Sequence, residues 1–171
     1  LYADRIGRVD PRTLAIEEFA TPHGGPRRMR FAPDGTLWIP SFNEGVLMRF
    51  DPRARQFTGA FPLPTLNPGE FETPYALNVH PRTGDVWITG NLSDRMLRFV
   101  PSSGRFLEYP SPTRTMFARD VIFTGDGSVW PWLRTVMRTP GTLIPSPCVA
   151  ARIETRPSSG APGVPPSTGH R

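Results

Sequence analysis

One short pattern occurs three times along this chain: a glycine, a polar residue, an aliphatic residue and a tryptophan. The tryptophans are 49 and then 43 positions apart, so the repeating unit is 43 to 49 residues long. A fixed spacing of this kind is the sequence signature of a repeat architecture, in which each unit is one supersecondary element. The three copies are Gly35–Trp38, Gly84–Trp87 and Gly127–Trp130.

Two further motifs recur in the same order and support the repeat. Each unit carries an arginine three positions before a proline, and then an aromatic residue that begins a proline-rich exit. The arginines are Arg8, Arg49 and Arg98, and the aromatic residues are Phe19, Phe61 and Tyr109. Because three motifs keep one order, chance is a poor explanation and the sequence predicts a true repeat.

Within one unit the residue pattern predicts four short β-strands. Runs that alternate apolar and polar side chains, the period of a strand, are separated by Gly, Pro and Asp, which favour turns. No stretch has a sustained apolar pattern at the helical spacing of 3.6 residues. The first complete set of runs is Met29–Phe31, Leu37–Ile39, Val46–Phe50 and Gln56–Phe61. Four strands joined by tight turns form one antiparallel meander, the blade of a β-propeller, so we expect an all-β chain.

We expect residues 1–133 to form a partial propeller of about three four-stranded blades, from a parent with about six or seven. Residues 1–25 are predicted to end one blade, 26–73 and 74–117 to form two whole blades, and 118–133 to begin another. Closed propellers contain about four to eight blades. The expectation is therefore that the chain is a fragment of a longer protein, whose missing blades are needed for closure.

Residues 134–171 differ in composition from the rest. They include seven prolines between Pro140 and Pro166, and we expect them to be disordered or out of frame. They also carry the basic excess, with 5 Arg against Glu154, whereas residues 1–133 have 15 Arg against 14 acidic residues. No nucleic acid is therefore expected as a partner. The single cysteine, Cys148, excludes an intramolecular disulfide, and no membrane-spanning stretch is visible, while the cellular location stays open.

The segment Pro74–Thr89, PYALNVHPRTGDVWIT, resembles the blade opening of the streptogramin B lyase (virginiamycin B lyase) family. The Arg-Phe-Asp-Pro and Phe-Pro-Leu-Pro-Thr elements resemble the later part of the same blades. The resemblance covers about residues 5–131, and NHL-type and SMP-30/gluconolactonase-like propellers share these motifs loosely. It implies a bacterial, Mg²⁺-dependent, seven-bladed lyase that opens a cyclic depsipeptide antibiotic at its ester linkage by elimination, and hence a role in antibiotic resistance.

The chain departs from this family at the positions that carry the chemistry. The family's basic histidine directly follows the proline that begins a blade, and the corresponding residues here are Arg27, Tyr75 and Arg119. A glutamate commonly stands three positions after the blade tryptophan, where this chain has Ser41, Gly90 and Leu133. We therefore assign no catalytic residue, metal ligand or cofactor within this segment. Mg²⁺ is expected only if the parent is a true lyase.

In a propeller, the starts of the first strands and the loops after the second strands converge at one mouth of the central channel. Residues in such loops commonly carry binding functions. Five positions are predicted to face a small-molecule ligand there: Arg27, Tyr75, Arg119, Asn43 and Asn91. An arginine-rich mouth favours an anionic or carbonyl-bearing ligand, because guanidinium groups donate several charge-assisted hydrogen bonds.

Other polar residues are expected to have structural or solvated roles. His23 lies in a loop between blades and His80 in a turn, so both are expected at the surface, with ligand binding by His23 as the alternative. Glu70 and Glu72 are expected to be solvated, with a metal site as the alternative. The repeated arginines are expected to point outward or to pair with Glu17, Glu18 and Glu108 on neighbouring strands, and the repeated tryptophans to pack between blades.

Three functions are compatible with these observations, and whether the chain is an enzyme stays open. The first is a C–O lyase acting on a cyclic depsipeptide antibiotic, by similarity. The second is a non-enzymatic propeller module for ligand or protein binding. The third is a hydrolase of the SMP-30/gluconolactonase kind, which needs a Glu/Asn/Asp metal cage that cannot be assigned in this sequence.

Overall fold

The computed structural model describes residues 3–132, and this part of the chain is entirely β-structure. Twelve strands and no helix are present among these residues, which confirms the predicted all-β class. It follows that no helix here is long and apolar enough to span a membrane. The predictions for residues 134–171, for Cys148 and for Leu133 lie outside the described residues.

The strands group into four antiparallel sheets in chain order, two complete sheets of four strands between two sheets of two strands. Sheet 1 consists of β1 (Arg5–Val9) and β2 (Ile16–Ala20). Sheet 2 consists of β3 (Arg30–Phe31), β4 (Leu37–Ser41), β5 (Val46–Asp51) and β6 (Gln56–Pro62). Sheet 3 consists of β7 (Pro74–Val79), β8 (Val86–Gly90), β9 (Arg95–Val100) and β10 (Arg105–Pro110). Sheet 4 consists of β11 (Asp120–Phe123) and β12 (Val129–Trp132).

Strand β4 extends two residues further than the sequence pattern predicts. Strand β4 continues through Pro40 to Ser41, whereas the predicted run ends at Ile39. Pro40 has no N–H for the ladder, but its carbonyl accepts a 3.0 Å hydrogen bond from the Arg27 N–H. That bond keeps the chain extended past the proline and brings Arg27 alongside the end of the strand.

The core lies between consecutive sheets, which stack face to face. Within β9, Leu97 and Phe99 are buried against sheet 2 while Met96 is buried toward sheet 4, so the predicted period-2 alternation is confirmed. Trp38 packs edge-on against Phe99, with ring centres 5.5 Å apart. Because successive side chains of a strand point to opposite faces, one alternating sequence packs against the sheets on both sides.

The repeated tryptophans pack at these interfaces. Trp38 and Trp87 are 3% and 7% exposed, and the Trp87 ring stacks on Tyr109 with centres 5.0 Å apart. Trp130, in the two-stranded sheet 4, is partly exposed. The predicted packing role is therefore confirmed for the two tryptophans that lie in complete sheets.

A recurring backbone feature fixes the loops at one face of the stack. The residue immediately before β1, β5 and β9 has a positive φ, and its carbonyl accepts the N–H that follows the last strand of the same sheet. These residues are Asp4, Gly45 and Asp94, with φ of 44°, 64° and 50°. The connections 21–29, 63–73 and 111–119 lie at this face with the loops 42–45 and 91–94, and we call it the connection face.

Candidate ligand-binding site

Three of the predicted ligand-facing residues meet on the connection face. Arg27, Tyr75 and Arg119 stand at or just before the first strands of sheets 2, 3 and 4. The Arg27 and Arg119 Cζ atoms lie 3.9 and 4.1 Å from the centre of the Tyr75 ring, and Arg28 Cζ lies at 5.1 Å. Each distance is within the range of a cation–π interaction. The stacking of three sheets therefore assembles a basic–aromatic cluster from residues far apart in sequence.

The loop 42–45 and the end of β4 hold Arg27 in place. Arg27 Cζ also lies 4.7 Å from the Phe42 ring centre, and the Phe42 N–H donates to the Gly25 carbonyl at 2.9 Å. The Ser41 hydroxyl donates to the Gly24 carbonyl at 2.7 Å. These bonds hold the connection 21–29 against the end of β4, so the position of Arg27 is set by backbone pairing.

The positive charge of the cluster is only partly compensated by nearby carboxylates. Arg28 and Arg30 lie 3.8 and 3.7 Å from the carboxylate of Asp120. Among residues 3–132, no carboxylate lies within 4.0 Å of a guanidinium nitrogen of Arg27 or Arg119. The Nε atom of Arg119 is also buried without a hydrogen-bond partner. Because a buried unpaired donor is costly, the site offers hydrogen bonds to an incoming oxygen acceptor.

The electrostatics of Tyr75 reflect the same excess of positive charge. Burial raises the pKa of the Tyr75 hydroxyl, but the nearby Arg119 guanidinium and the charges of Arg27 and Arg28 together lower it below its ordinary value. A positive field stabilises the phenolate, and the same field attracts an external anion. Taken together, the cluster is suited to hold a carboxylate, a phosphate or a polarised carbonyl oxygen.

The two predicted asparagines lie apart from the cluster. Asn43 covers Gly25 so closely that a Cβ atom on Gly25 would lie 2.6 Å from the Asn43 side chain. The Asn91 N–H donates to the Thr73 carbonyl at 2.9 Å, and the Asn91 Oδ1 atom is buried without a partner. Asn43 borders the cluster through its neighbour Phe42, whereas Asn91 belongs to the following loop of the connection face.

His23 is held by a carboxylate. Its Nδ1 atom lies 2.7 Å from Glu44 Oε2, and the other oxygen of Glu44 accepts the Gly24 N–H at 2.6 Å. The Gly24 N–H, and then His23, lower the pKa of Glu44 below its ordinary value. The interpretation of His23 as a simply solvated loop residue is therefore incomplete, because the ring is partly buried and has a fixed partner.

His80 is located in the predicted turn but is not at the surface. It is 7% exposed, and its ring packs edge-on against Phe123 with centres 5.0 Å apart. Its Nδ1 atom accepts the N–H groups of Arg82 and Thr83 at 3.3 and 3.2 Å. The expectation of surface exposure is wrong because sheet 4 covers the turn. The ring nitrogen of His80 accepts the two N–H groups that a carboxylate, Asp10 or Asp51, accepts in the equivalent turns of other sheets.

The expectation that Glu72 is solvated is also wrong. Glu72 is 4% exposed, and its Oε2 atom accepts hydrogen bonds from Arg95 at 2.7 and 2.9 Å. Glu70, by contrast, is exposed and accepts a hydrogen bond from Asn67. A buried charge persists only when it is paired, and the partner here is Arg95, the first residue of β9.

Arg8 is exposed, as expected, whereas Arg49 and Arg98 have partners other than the acids expected. Arg98 donates twice to Asp85, at 2.9 and 2.6 Å, and Glu108 pairs with Arg95 instead. Arg49 donates to the hydroxyl and the carbonyl of Thr58. These partners are not the residues directly opposite, which are Trp38 and Gly59 for Arg49 and Trp87 and Leu107 for Arg98, so the repeat alone does not specify them.

The described residues do not fit the Mg²⁺ site that the resemblance implies. Among residues 3–132, no group of three or more His, Cys, Asp or Glu side chains is arranged to hold a metal ion. The corresponding glutamate positions hold Ser41, whose hydroxyl donates to the Gly24 carbonyl, and Gly90, where an added Cβ atom would overlap Ser93 Oγ. No step of a reaction is therefore derived through a metal here.

Several residues at the connection face were not identified from the sequence. Arg28 and Phe42 contact the cluster, and Glu44 holds His23. The doublet Arg27-Arg28 at the start of a first strand was a usable signal for Arg28. No sequence signal indicates that Arg28 Nη1 donates to the carbonyl of Arg119, 91 positions away, at 3.1 Å.

The four sheets and their clustered loops define a partial β-propeller with a basic–aromatic site at one face. A solved streptogramin B lyase is similar, with 21% identity and a TM-score of 0.66 over 75% of this chain and 41% of that chain. A catalytically inactive virginiamycin B lyase from Staphylococcus aureus, solved with Quinupristin, is similar at 21% identity and a TM-score of 0.64. That alignment covers 75% of this chain and 42% of the lyase. The chain thus spans about two fifths of these lyases.

A protein of a different function matches with a similar TM-score and a lower identity. Hydrazine synthase of Kuenenia stuttgartiensis is similar at 16% identity and a TM-score of 0.65, over 78% of this chain and 37% of that chain. No protein-family model matches the chain, and no curated protein matches it significantly. The expected resemblance is therefore confirmed at the level of a virginiamycin B lyase-like fold.

Proposed function

We propose that this chain is part of a propeller that binds a small anionic or carbonyl-bearing molecule at the connection face. The observation that carries the proposal is the convergence of Arg27 and Arg119 on Tyr75, at 3.9 and 4.1 Å, with no carboxylate partner for either guanidinium within residues 3–132. Arginine forks pair with planar oxygen acceptors, and the aromatic ring gives the ligand an apolar wall. Binding is the function that this geometry supports best.

The proposal is tested by titrating the full chain with simple probes followed by NMR chemical shifts. Inorganic phosphate, acetate and neutral N-methylacetamide represent a dianion, a monoanion and a carbonyl group. We expect saturable shifts at Arg27, Tyr75 and Arg119, strongest for phosphate. The Arg27→Ala/Arg119→Ala double variant should weaken phosphate binding by more than about a hundredfold, since each of the two lost charge-assisted hydrogen bonds contributes about 1.5–3 kcal/mol.

A matched control separates the site from general positive charge. Arg53 and Arg105 are exposed and lie outside the cluster, so the Arg53→Ala/Arg105→Ala variant removes the same net charge. Its phosphate affinity should remain within about twofold of the parent's, because an exposed charge that does not contact the ligand is largely screened at ordinary salt. Equal losses in the two double variants, or shifts that do not saturate, would contradict the proposal.

A second candidate function is C–O lyase activity on a cyclic depsipeptide antibiotic. It is favoured by the likeness to the streptogramin B lyases, one of them solved with Quinupristin. In this candidate Arg27 and Arg119 would hold a carbonyl oxygen of the substrate, and the base would come from residues outside the cluster. The missing blades of a longer protein would supply the remaining site.

The lyase candidate has a direct assay. The longer protein that this candidate requires, with its missing blades, is incubated with quinupristin, with and without Mg²⁺, and the cyclic substrate and its products are separated by chromatography and identified by mass spectrometry. Ring opening without the mass increase of a water molecule supports elimination. An increase by one water indicates hydrolysis and favours the third function, a hydrolase of the SMP-30 kind. Binding of quinupristin without turnover leaves the non-enzymatic module as the function.

A further inference from the structure

Two arginines next to Arg27 contact a residue that lies two sheets away. Arg28 and Arg30 lie just before and at the start of β3, and their guanidinium nitrogens are 3.8 and 3.7 Å from the two carboxylate oxygens of Asp120 in β11. Sheets 2 and 4 pack on opposite faces of sheet 3, so these ion pairs pass over its edge strand, β7. Arg28 Cζ is also 5.1 Å from the centre of the Tyr75 ring on that strand. The two arginines and Asp120 therefore lie on a surface that continues from the basic–aromatic cluster.

Backbone carbonyls, and not Asp120, hold these two guanidinium groups in position. Arg28 Nη1 donates to the Arg119 carbonyl at 3.1 Å, and Arg30 Nη1 donates to the carbonyl of the preceding residue at 3.1 Å. The distances to the Asp120 oxygens exceed the roughly 2.7–3.2 Å of an N–H···O hydrogen bond. Asp120 Oδ1 instead accepts the Val121 N–H at 2.9 Å. Asp120 therefore supplies negative charge to the arginines without fixing where they lie.

Asp120 is the counter-charge of a group of four arginines. Among residues 3–132, it is the one acidic residue within 4.0 Å of any of their guanidinium nitrogens. The four arginines are Arg27, Arg28, Arg30 and Arg119. Four positive charges against one negative charge favour the binding of an anion, but the negative charge is not shared evenly. The carboxylate lies beside Arg28 and Arg30, whereas no described carboxylate neutralises the other two arginines.

We propose that Asp120 limits the ligand of the connection face to molecules with a single acidic group. This inference rests on the proposed function, since it concerns which anions that site accepts. One acidic group binds at Arg27 and Arg119, where no carboxylate of residues 3–132 competes with it. A second acidic group directed toward Arg28 would meet the carboxylate of Asp120, and like charges in close contact are unfavourable. The ligand class is therefore a phosphate monoester or a monocarboxylate, and molecules with adjacent acidic groups, such as pyrophosphate, are disfavoured.

The Asp120→Asn variant tests the proposal, because it removes the charge and keeps an oxygen that can accept the Val121 N–H. The full chain is titrated with inorganic phosphate and with pyrophosphate, and both titrations are followed by NMR chemical shifts. The parent should bind pyrophosphate no more than about threefold more tightly than phosphate, because the second phosphate group meets Asp120. The variant should bind pyrophosphate more than about tenfold more tightly than phosphate, because the partly exposed Arg28 and Arg30 then donate to the second group. The Nε–H signals of these two arginines should shift with pyrophosphate in the variant and not in the parent.

Two control variants separate the role of Asp120 from a change in net charge. Arg30→Ala/Asp120→Asn has the net charge of the parent and leaves the basic–aromatic cluster unchanged. It should lose most of the gain in pyrophosphate selectivity, because only Arg28 then faces the second phosphate group. Glu18→Gln removes the same charge as Asp120→Asn, from an exposed ion pair with Arg5 in sheet 1. It should leave the affinities for both probes within about twofold of the parent's, because exposed charges away from the ligand are screened.

The outcomes distinguish this inference from the proposed function. An equal preference for pyrophosphate in the parent and in Asp120→Asn overturns the inference, while saturable phosphate binding that depends on Arg27 and Arg119 leaves the proposed function unaffected. Weaker binding of both probes by Asp120→Asn would show that the carboxylate positions the arginines, and it also overturns the inference. If phosphate does not saturate the parent, the proposed function fails. Pyrophosphate binding by Asp120→Asn alone would then still support the role of Asp120, and no binding by either chain would overturn it.

Discussion

Glu72 and Arg95 form a salt bridge in which each side chain is only 3% exposed, although the residues are 23 positions apart. Arg95 also donates to Glu108 on the neighbouring strand and to the carbonyl of Pro64. Pro64 and Glu72 lie at the two ends of the connection 63–73, so one guanidinium fastens this connection to sheet 3. The buried Arg95 guanidinium therefore helps to fix the fold of the connection face, on which the candidate ligand-binding site lies.

Removing either partner of this salt bridge should destabilise the fold, and the cost should depend on which charge is left buried without a partner. Arg95→Met leaves two carboxylates, Glu72 and Glu108, without their partner and should cost about 3–5 kcal/mol of unfolding free energy. Glu72→Gln keeps the shape and leaves Arg95 paired with Glu108, so it should cost about 1.5–3 kcal/mol. Urea denaturation measures both values.

The matched control for the buried bridge is an exposed one. Glu18→Gln removes a carboxylate 3.8 Å from Arg5, where both side chains are more than half exposed, and should change stability by less than about 1 kcal/mol. The Arg95→Met/Glu72→Gln double variant should cost less than the sum of the single variants, because the two residues interact. Strict additivity would contradict a direct interaction.

His80 should contribute to stability in two ways: its ring nitrogen accepts hydrogen bonds in the turn, and its ring packs against Phe123. Asp10 and Asp51 occupy the same place in their turns, each accepting two backbone N–H groups through one carboxylate oxygen. His80→Asp should therefore keep the turn but lose the contact with Phe123, and His80→Phe should do the reverse. His80→Ala loses both and should be the least stable, by about 1–3 kcal/mol relative to the parent. Thermal unfolding ranks the three variants, and equal stability of all three would contradict the dual role.

The sheets could be predicted from the sequence because their causes are local and repeated. Alternation in β9 specifies that Leu97 and Phe99 face one way and Met96 the other, and the three tryptophans set the length of the unit. The burial of Glu72 could not be predicted, because its environment depends on Arg95, which approaches only after two sheets have stacked. The sequence around a charged residue in a polar connection does not show whether that residue will be solvated or paired in the folded chain.

The candidate site was predictable in part for the same reason. Arg27, Tyr75 and Arg119 occupy one position of the repeat, so stacking of equivalent units brings them together. The fixed hydrogen bond between His23 and Glu44 was not predictable, because it joins a connection to a loop of the next sheet. The repeat thus predicts which positions converge, and the side chains between the repeats decide what each position contacts.

Gly45 should tolerate substitution less well than other glycines with the same backbone conformation. It has a φ of 64°, and an added Cβ atom would lie 2.6 Å from the Glu72 carbonyl oxygen. Gly104 has a φ of 67°, but no atom lies within 4 Å of its built Cβ. Gly104→Ala should cost about 1 kcal/mol through the left-handed conformation alone, and Gly45→Ala about 2–4 kcal/mol through conformation and overlap. Similar costs in urea denaturation would show that the connection moves away freely.

The ionisation of Tyr75 should report the charge of the candidate site. Its folded pKa is lowered below the ordinary 10.0, against the effect of burial, by the nearby Arg119 guanidinium and by the charges of Arg27 and Arg28. Arg119→Ala should therefore raise the pKa of Tyr75, and Arg28→Ala should raise it less, because Arg28 lies farther from the ring at 5.1 Å. NMR titration of ¹³C-labelled tyrosine measures both values, with Tyr75→Phe to assign the signal.

The sign of the pH dependence follows from that lowered pKa. Because the folded chain releases the Tyr75 proton before the unfolded chain does, the contribution of this group to stability grows as pH rises through the folded pKa, and it is complete above the unfolded value. Affinity for phosphate should change in the opposite direction, since the phenolate neutralises part of the field of Arg27 and Arg119. In Tyr75→Phe the alkaline loss of phosphate affinity should disappear. A loss that persists in Tyr75→Phe would assign the titration to another group.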